Sequence, residues 1–138
     1  MINPKTGAIK EYKLPRKVGV PPGSSNMFMG DDDTVWINQR IAGQLFRFDP
    51  KTETFTEYDL PGPRATPYAM GIDAQDSVWY SSHDLDIVGK LDPNTGKVTE
   101  YPIPYPENYF KEFFLDDQGR MWFGSPLNNK VGYFILPE

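Results

Sequence analysis

Residues 78–104 read Val78-Trp79-Tyr80-Ser81-Ser82-His83-Asp84-Leu85-Asp86-Ile87-Val88-Gly89-Lys90-Leu91-Asp92-Pro93-Asn94-Thr95-Gly96-Lys97-Val98-Thr99-Glu100-Tyr101-Pro102-Ile103-Pro104, and the parts of this stretch recur. Trp79 is 43 residues from Trp36 on one side and 43 from Trp122 on the other, and each Trp centres an apolar triplet: Val35-Trp36-Ile37, Val78-Trp79-Tyr80 and Met121-Trp122-Phe123. Thr99-Glu100-Tyr101 has counterparts in Lys10-Glu11-Tyr12 and Thr56-Glu57-Tyr58, each followed by a proline three residues on. A turn precedes each copy: Asn3-Pro4-Lys5-Thr6-Gly7, Asp49-Pro50-Lys51-Thr52-Glu53 and Asp92-Pro93-Asn94-Thr95-Gly96. Two motifs sharing one period identify an internal repeat, which takes precedence over local propensity.

Within a period the strands follow from elementary rules. Pro presets φ at the second turn position, and the preceding Asp or Asn can accept from backbone two residues on, so each turn reads as a hairpin. The Tyr segment after it mixes polar and apolar residues, as a half-solvated outer strand does. Proline-rich linkers (15–26, 61–67, 102–108) lead to a second strand near 27–31, 68–73 and 110–115. An acidic turn, the Trp strand and a last strand (Gln44–Asp49, Asp86–Asp92, Lys130–Ile135) complete the unit. Three consecutive apolar residues in the Trp strand require burial on both faces. Four short strands per 43 residues with doubly buried centres predict an all-β fold, a β-propeller of four-stranded antiparallel blades. No helical periodicity supports a helical solenoid, and a β-sandwich, the structural alternative, gives no reason for a fixed register.

The count predicts one segment over 1–138: an outer strand at 8–14, blades at 27–60 and 68–103, and three strands within 110–135. Twelve strands make three blades, whereas closed propellers typically hold four to eight. Two arrangements satisfy this phase: a homodimer closing six blades by exchange of the Ala8–Leu14 strand, or part of a longer ring of about seven blades. Met1 directly before a turn motif has the look of a cut boundary.

Composition narrows the partners. The chain has 138 residues with 14 Lys+Arg against 19 Asp+Glu, a net charge of −5, which disfavours a nucleic-acid partner. No apolar run approaches the ~18 residues of a membrane span, and the first 25 residues lack the apolar core of a secretory signal. Zero cysteines exclude disulfides, a thiolate nucleophile and a cysteine zinc site. Three Trp, eight Tyr and nine Phe must carry much of the burial.

The repeated Trp, the Asp-Pro-x-Thr-Gly turn and the Thr-Glu-Tyr-x-x-Pro strand, clearest over Gly89–Pro104, make the chain resemble the virginiamycin B lyase (streptogramin lyase) family along essentially its whole length. The resemblance implies a bacterial, seven-bladed lyase that opens a cyclic depsipeptide by elimination, with histidine, glutamate and magnesium, and it allows export within a longer parent protein. The family's histidine falls eleven residues before a Trp, where this chain has Ser25, Tyr68 and Lys111. Its glutamate falls three residues after a Trp, where this chain has Gln39, Ser82 and Ser125. Neither residue type is present at those positions, so no catalytic residue is assigned. Magnesium is expected only if the chain is lyase-like, and no other cofactor is.

Propeller ligands meet the channel rim, lined by linkers entering the innermost strands and by loops after the Trp strands. The rim candidates are Tyr68, Lys111, Glu112, Gln39, Arg40, Ser82 and His83, with Ser25, Asn26, Arg64, Asn38, Asp84 and Ser125 beside them. Lys111 and Glu112 also read as an ion pair at the channel mouth. His83, the one histidine, reads as a general base oriented by Asp84 or as a solvated loop residue. Asp31-Asp32-Asp33 suits a hard cation by composition, but the equivalent Asp73-Ala74-Gln75-Asp76 and Asp116-Asp117-Gln118-Gly119 mark all three as hairpin turns, so no metal site is assigned. The expected function is a non-catalytic propeller module binding a small molecule, peptide or protein at the channel mouth, or a self-assembling half-propeller. The alternative is a lyase-type or lactonase-type enzyme of which this chain is a fragment or divergent homologue.

Overall fold

A computed structural model describes residues 3–24, 26–62, 65–104, 106 and 109–137. Among them, eleven strands form three antiparallel sheets. The first contains β1 (Met27–Met29), β2 (Val35–Gln39), β3 (Gln44–Asp49) and β4 (Thr54–Asp59) in sequence order. The second repeats it with β5 (Pro67–Ile72), β6 (Val78–Ser82), β7 (Ile87–Leu91) and β8 (Val98–Pro102). The third has β9 (Phe113–Leu115), β10 (Arg120–Ser125) and β11 (Lys130–Ile135), with a single 3-10 turn at Pro126–Asn128. Innermost strands β1, β5 and β9 lie against one another, and β4 and β8 are the outer edges of their sheets.

The repeat's chemistry is visible in this geometry. The side chains of Asn3, Asp49 and Asp92 accept from the backbone N–H of Lys5, Lys51 and Asn94 at 3.0, 2.8 and 2.9 Å, so the three hairpin turns share one anchor. The Trp strands are sandwiched as their triplets require. Trp36 and Leu45 of the first sheet pack on Met70, Val78, Tyr80 and Leu91 of the second; Trp79 and Val88 pack on Phe113 and Met121 of the third and on Phe110 just before it. Tyr58 stacks on Trp36 and Tyr101 on Trp79, with centroids 5.4 and 5.7 Å apart. Volume is balanced across adjacent strands: a Cβ on Gly89 would lie 2.1 Å from the Tyr80 ring, whereas the first sheet pairs Ile37 with Phe46 at the same positions.

One expectation needs correcting. Residues 8–14 form no strand; a single bridge at Ile9 is their only ladder contact. They nonetheless lie where an outer strand of a preceding sheet would, with Tyr12 4.5 Å from Phe48, Leu14 on the same cluster, and Lys10 ion-paired with Glu53. The physical reason is the ladder: no described strand lies beside them to receive their hydrogen bonds. The innermost strands are also shorter than expected at 27–31 and 110–115: β1 stops at Met29, before its acidic turn, and β9 begins only at Phe113.

Candidate functional site

The linkers deliver residues 26, 68 and 111 to neighbouring points on the inner rim. Asn26 Nδ2 donates to the carbonyls of Tyr68 and Lys111 at 3.1 and 3.4 Å. Buried Asn38, at the same end of β2, donates to the Pro67 and Tyr68 carbonyls at 3.0 and 2.9 Å. These amides join separate sheets and bond the Pro67 and Tyr68 carbonyls at the irregular start of β5, where its register shifts, and the Lys111 carbonyl in the linker before β9, which is a structural role. Ser25 and Arg64 lie outside the described residues.

Against this frame stands an aromatic and cationic cluster. The His83 ring is stacked on Tyr68 and tilted against Tyr109, with centroids 4.2 and 3.6 Å away, and Lys111 Nζ sits 4.5 Å from the Tyr68 ring and 4.3 Å from the Tyr109 ring. His83 Nε2 lies 3.1 Å from the Phe110 carbonyl, which can only accept, so Nε2 carries the proton. Nδ1 is then a lone-pair acceptor, and it is buried without a hydrogen-bond partner among the described residues. Burial, chiefly, lowers the His83 pKa below 6.5, reinforced by the Lys111 and Arg40 charges and opposed by the Phe110 hydrogen bond and Asp84. The ring is neutral at neutral pH. Asp84 does not orient it; its own N–H donates to Thr66 Oγ1 at 3.1 Å. A cleft of about 370 Å³ opens beside it, lined by Arg40, Ile41, Thr66, His83, Asp84 and Tyr109.

The rim candidates therefore separate. Tyr68, His83 and Lys111 come together, and Arg40 faces the same cleft as His83. Glu112 is exposed in an adjoining groove of about 260 Å³ with Lys111, Asn26 and Phe114, and forms no ion pair with Lys111 among the described contacts. Gln39 and Ser82 are buried, the Ser82 hydroxyl accepting from Thr66 N–H at 3.1 Å. Tyr109 is not among the rim candidates read from sequence; the signal that points to it is its place in Tyr109-Phe110, an aromatic pair directly before Lys111.

The acidic turns are occupied by protein donors. Asp73 accepts from the N–H groups of Gln75 and Ser77 and from Trp79 Nε1 at 2.8 Å, and Asp116 holds Trp122 Nε1 at 2.7 Å. Asp32 accepts from Thr34 and pairs with Arg47. Those bonds, Thr34's hydroxyl first, pull the Asp32 pKa down to about 2, and the Trp122 indole first of all pulls Asp116 lower still. Of the described positions equivalent to a lyase's histidine and glutamate, four do not fit magnesium, while buried Gln39 keeps its Oε1 without a hydrogen-bond partner among the described residues. Lys111 is a cation, Tyr68 and Lys111 are committed to the aromatic cluster, and the Ser82 and Ser125 hydroxyls accept from Thr66 and Asn128.

A family model for the virginiamycin B lyase family matches residues 2–136. The chain belongs to the virginiamycin B lyase family. As a member of that family it is similar to a solved streptogramin B lyase, with a TM-score of 0.81 at 23% identity over 99% of this chain and 47% of that one. A catalytically inactive virginiamycin B lyase from Staphylococcus aureus, solved with quinupristin, gives 0.79 at 24% identity over the same shares. An extracellular domain of a one-component system from B. thetaiotaomicron gives 0.71 at 16% identity, over 99% of this chain and 18% of that one. This virginiamycin B lyase family member thus spans about half the length of the solved lyases, and these likenesses establish the β-propeller fold. No curated protein matches it.

Proposed function

We propose that this chain is a non-catalytic binding module that takes a small peptide-like or aromatic molecule at the inner rim. The observation that carries this reading is the open cleft itself, where the His83 and Tyr109 rings meet beside Arg40. Such a site suits a ligand that lays an apolar ring against Tyr109, while Arg40 and Lys111 favour a carboxylate or carbonyl alongside.

Family membership favours a second reading, in which the chain contributes part of a ring whose lyase residues lie elsewhere. One experiment separates the two. Quinupristin and N-acetyl-phenylalanine amide are titrated into the chain by calorimetry, with and without magnesium, and the recovered compounds are weighed by mass spectrometry. Binding of either without ring opening, weakened about tenfold or more in His83→Ala, is expected. Ring opening of quinupristin selects the lyase reading, and no heat with either compound rejects the binding site.

A further inference from the structure

The first and third sheets each leave one face without a neighbouring sheet, and the repeat shows what fits them. At one register position, Met70 of the second sheet and Phe113 of the third are 7% and 5% exposed, while Met27 of the first is 71% exposed. On the opposite face, Leu45 and Val88 are 0% and 5% exposed, while their counterpart Val131 is 75% exposed. Residue type is conserved through the three units, so the missing neighbour accounts for the difference. The open face of the first sheet is an apolar groove of about 570 Å³ lined by Met27, Met29, Val35, Ile37, Phe48 and Phe55. That of the third shows Phe114, Val131, Tyr133 and Ile135.

We infer that the occupant of each face is a second copy of this chain, docked so that the third sheet of one copy covers the first sheet of the other. Inside the chain, Leu45 already packs with Met70, and Val88 with Phe113. Val131 of one copy against Met27 of another repeats that contact with the same kinds of side chain. The edge supports it as well. Leu45 lies opposite Tyr58 and Val88 opposite Tyr101 in the ladders β3–β4 and β7–β8. The same register sets Val131 opposite Tyr12 of the second copy, so that residues 8–14 become the fourth strand of the other copy's third sheet. They need no relocation, because Tyr12 and Leu14 already rest on the first sheet. The exposed β11 edge, a liability in any sheet, is then paired. Two such contacts, related by a two-fold axis, close six sheets into a ring, within the range of known propellers.

Light scattering behind size exclusion is expected to give twice 15.8 kDa. A folded monomer overturns the inference, and a species larger than two copies overturns closure by a pair. The strand register is read separately. Arg47 lies opposite Thr56 and Lys90 opposite Thr99, so Lys10 of one copy should lie opposite Tyr133 of the other. In this cysteine-free chain the double variant Lys10→Cys/Tyr133→Cys should form a disulfide-linked dimer under mild oxidation. A dimer that does not cross-link overturns the strand exchange. Val131→Lys should weaken the dimer about a hundredfold or more, the scale of an unpaired charge in an apolar contact, with an unchanged β circular dichroism spectrum. If that variant fails to fold, Met27→Glu on the opposite face reads the same contact. Survival of the dimer in a folded variant overturns the docking.

Discussion

The smallest unit that explains this protein is the carboxylate clamped on a tryptophan. Asp73 is buried, accepts two backbone N–H groups and the Trp79 indole, and has Lys90 Nζ at 3.4 Å. Its removal leaves buried donors without a partner, each costing about 1–3 kcal/mol. Asp73→Ala should therefore lower the unfolding free energy by about 3 kcal/mol or more in urea titrations. Asp73→Asn, which keeps one acceptor oxygen, should lose less. His83 is the residue that responds to pH. Its folded pKa lies below the 6.5 of the free side chain, so the unfolded chain takes up a proton first as the medium acidifies. Stability should be full above pH 6.5 and decline as pH falls below it. His83→Gln should flatten that part of the stability profile, measured by thermal melting between pH 7.5 and 5, while the Asp32 contribution disappears only between about pH 4 and pH 2.

At the scale of strands and linkers, Asn38 holds one sheet to the next by two carbonyls of the β5 entry. Asn38→Leu should cost about 2–4 kcal/mol, because the Pro67 carbonyl loses this side-chain donor, the Tyr68 carbonyl keeps only Asn26 Nδ2, and the Asn26 N–H loses the Asn38 oxygen at 3.0 Å. Chemical denaturation with a concurrent check of β content would measure it. Much of this level was legible from residue identity. The strands Gln44–Asp49 and Lys130–Ile135 fall where the repeat places them, since a 43-residue period with a double-faced Trp strand leaves little freedom. Residues 8–14 were not legible as unpaired, because strand character in a sequence says nothing about whether a neighbour is present. The burial of Gln39 and Ser82 and the packing of His83 against Tyr68 and Tyr109 depend on how the linkers wrap from one repeat to the next. Tyr109 and His83 sit in different units, and no spacing rule joins them. The first unit also departs from its siblings: Gly30 stands where Asp73 and Asp116 clamp a Trp, and Asp32 ties the turn to Arg47 instead.

For the whole molecule, three equivalent sheets have unequal surroundings, and the two outer faces differ from each other. The inferred pairing of these unlike faces would make the melting temperature depend on protein concentration. A tenfold dilution should lower it measurably, whereas Val131→Lys should melt independently of concentration; differential scanning calorimetry at two concentrations tests both. The three tryptophans carry the same asymmetry into spectroscopy. Trp36 and Trp79 are buried beneath tyrosines, while Trp122, clamped by Asp116 and flanked by Tyr133 and Arg120, is only half covered. The indole is thus a built-in optical gauge: dilution should shift the emission of a Trp36→Phe/Trp79→Phe variant toward the red as water reaches the last ring, and association should draw it back toward the blue.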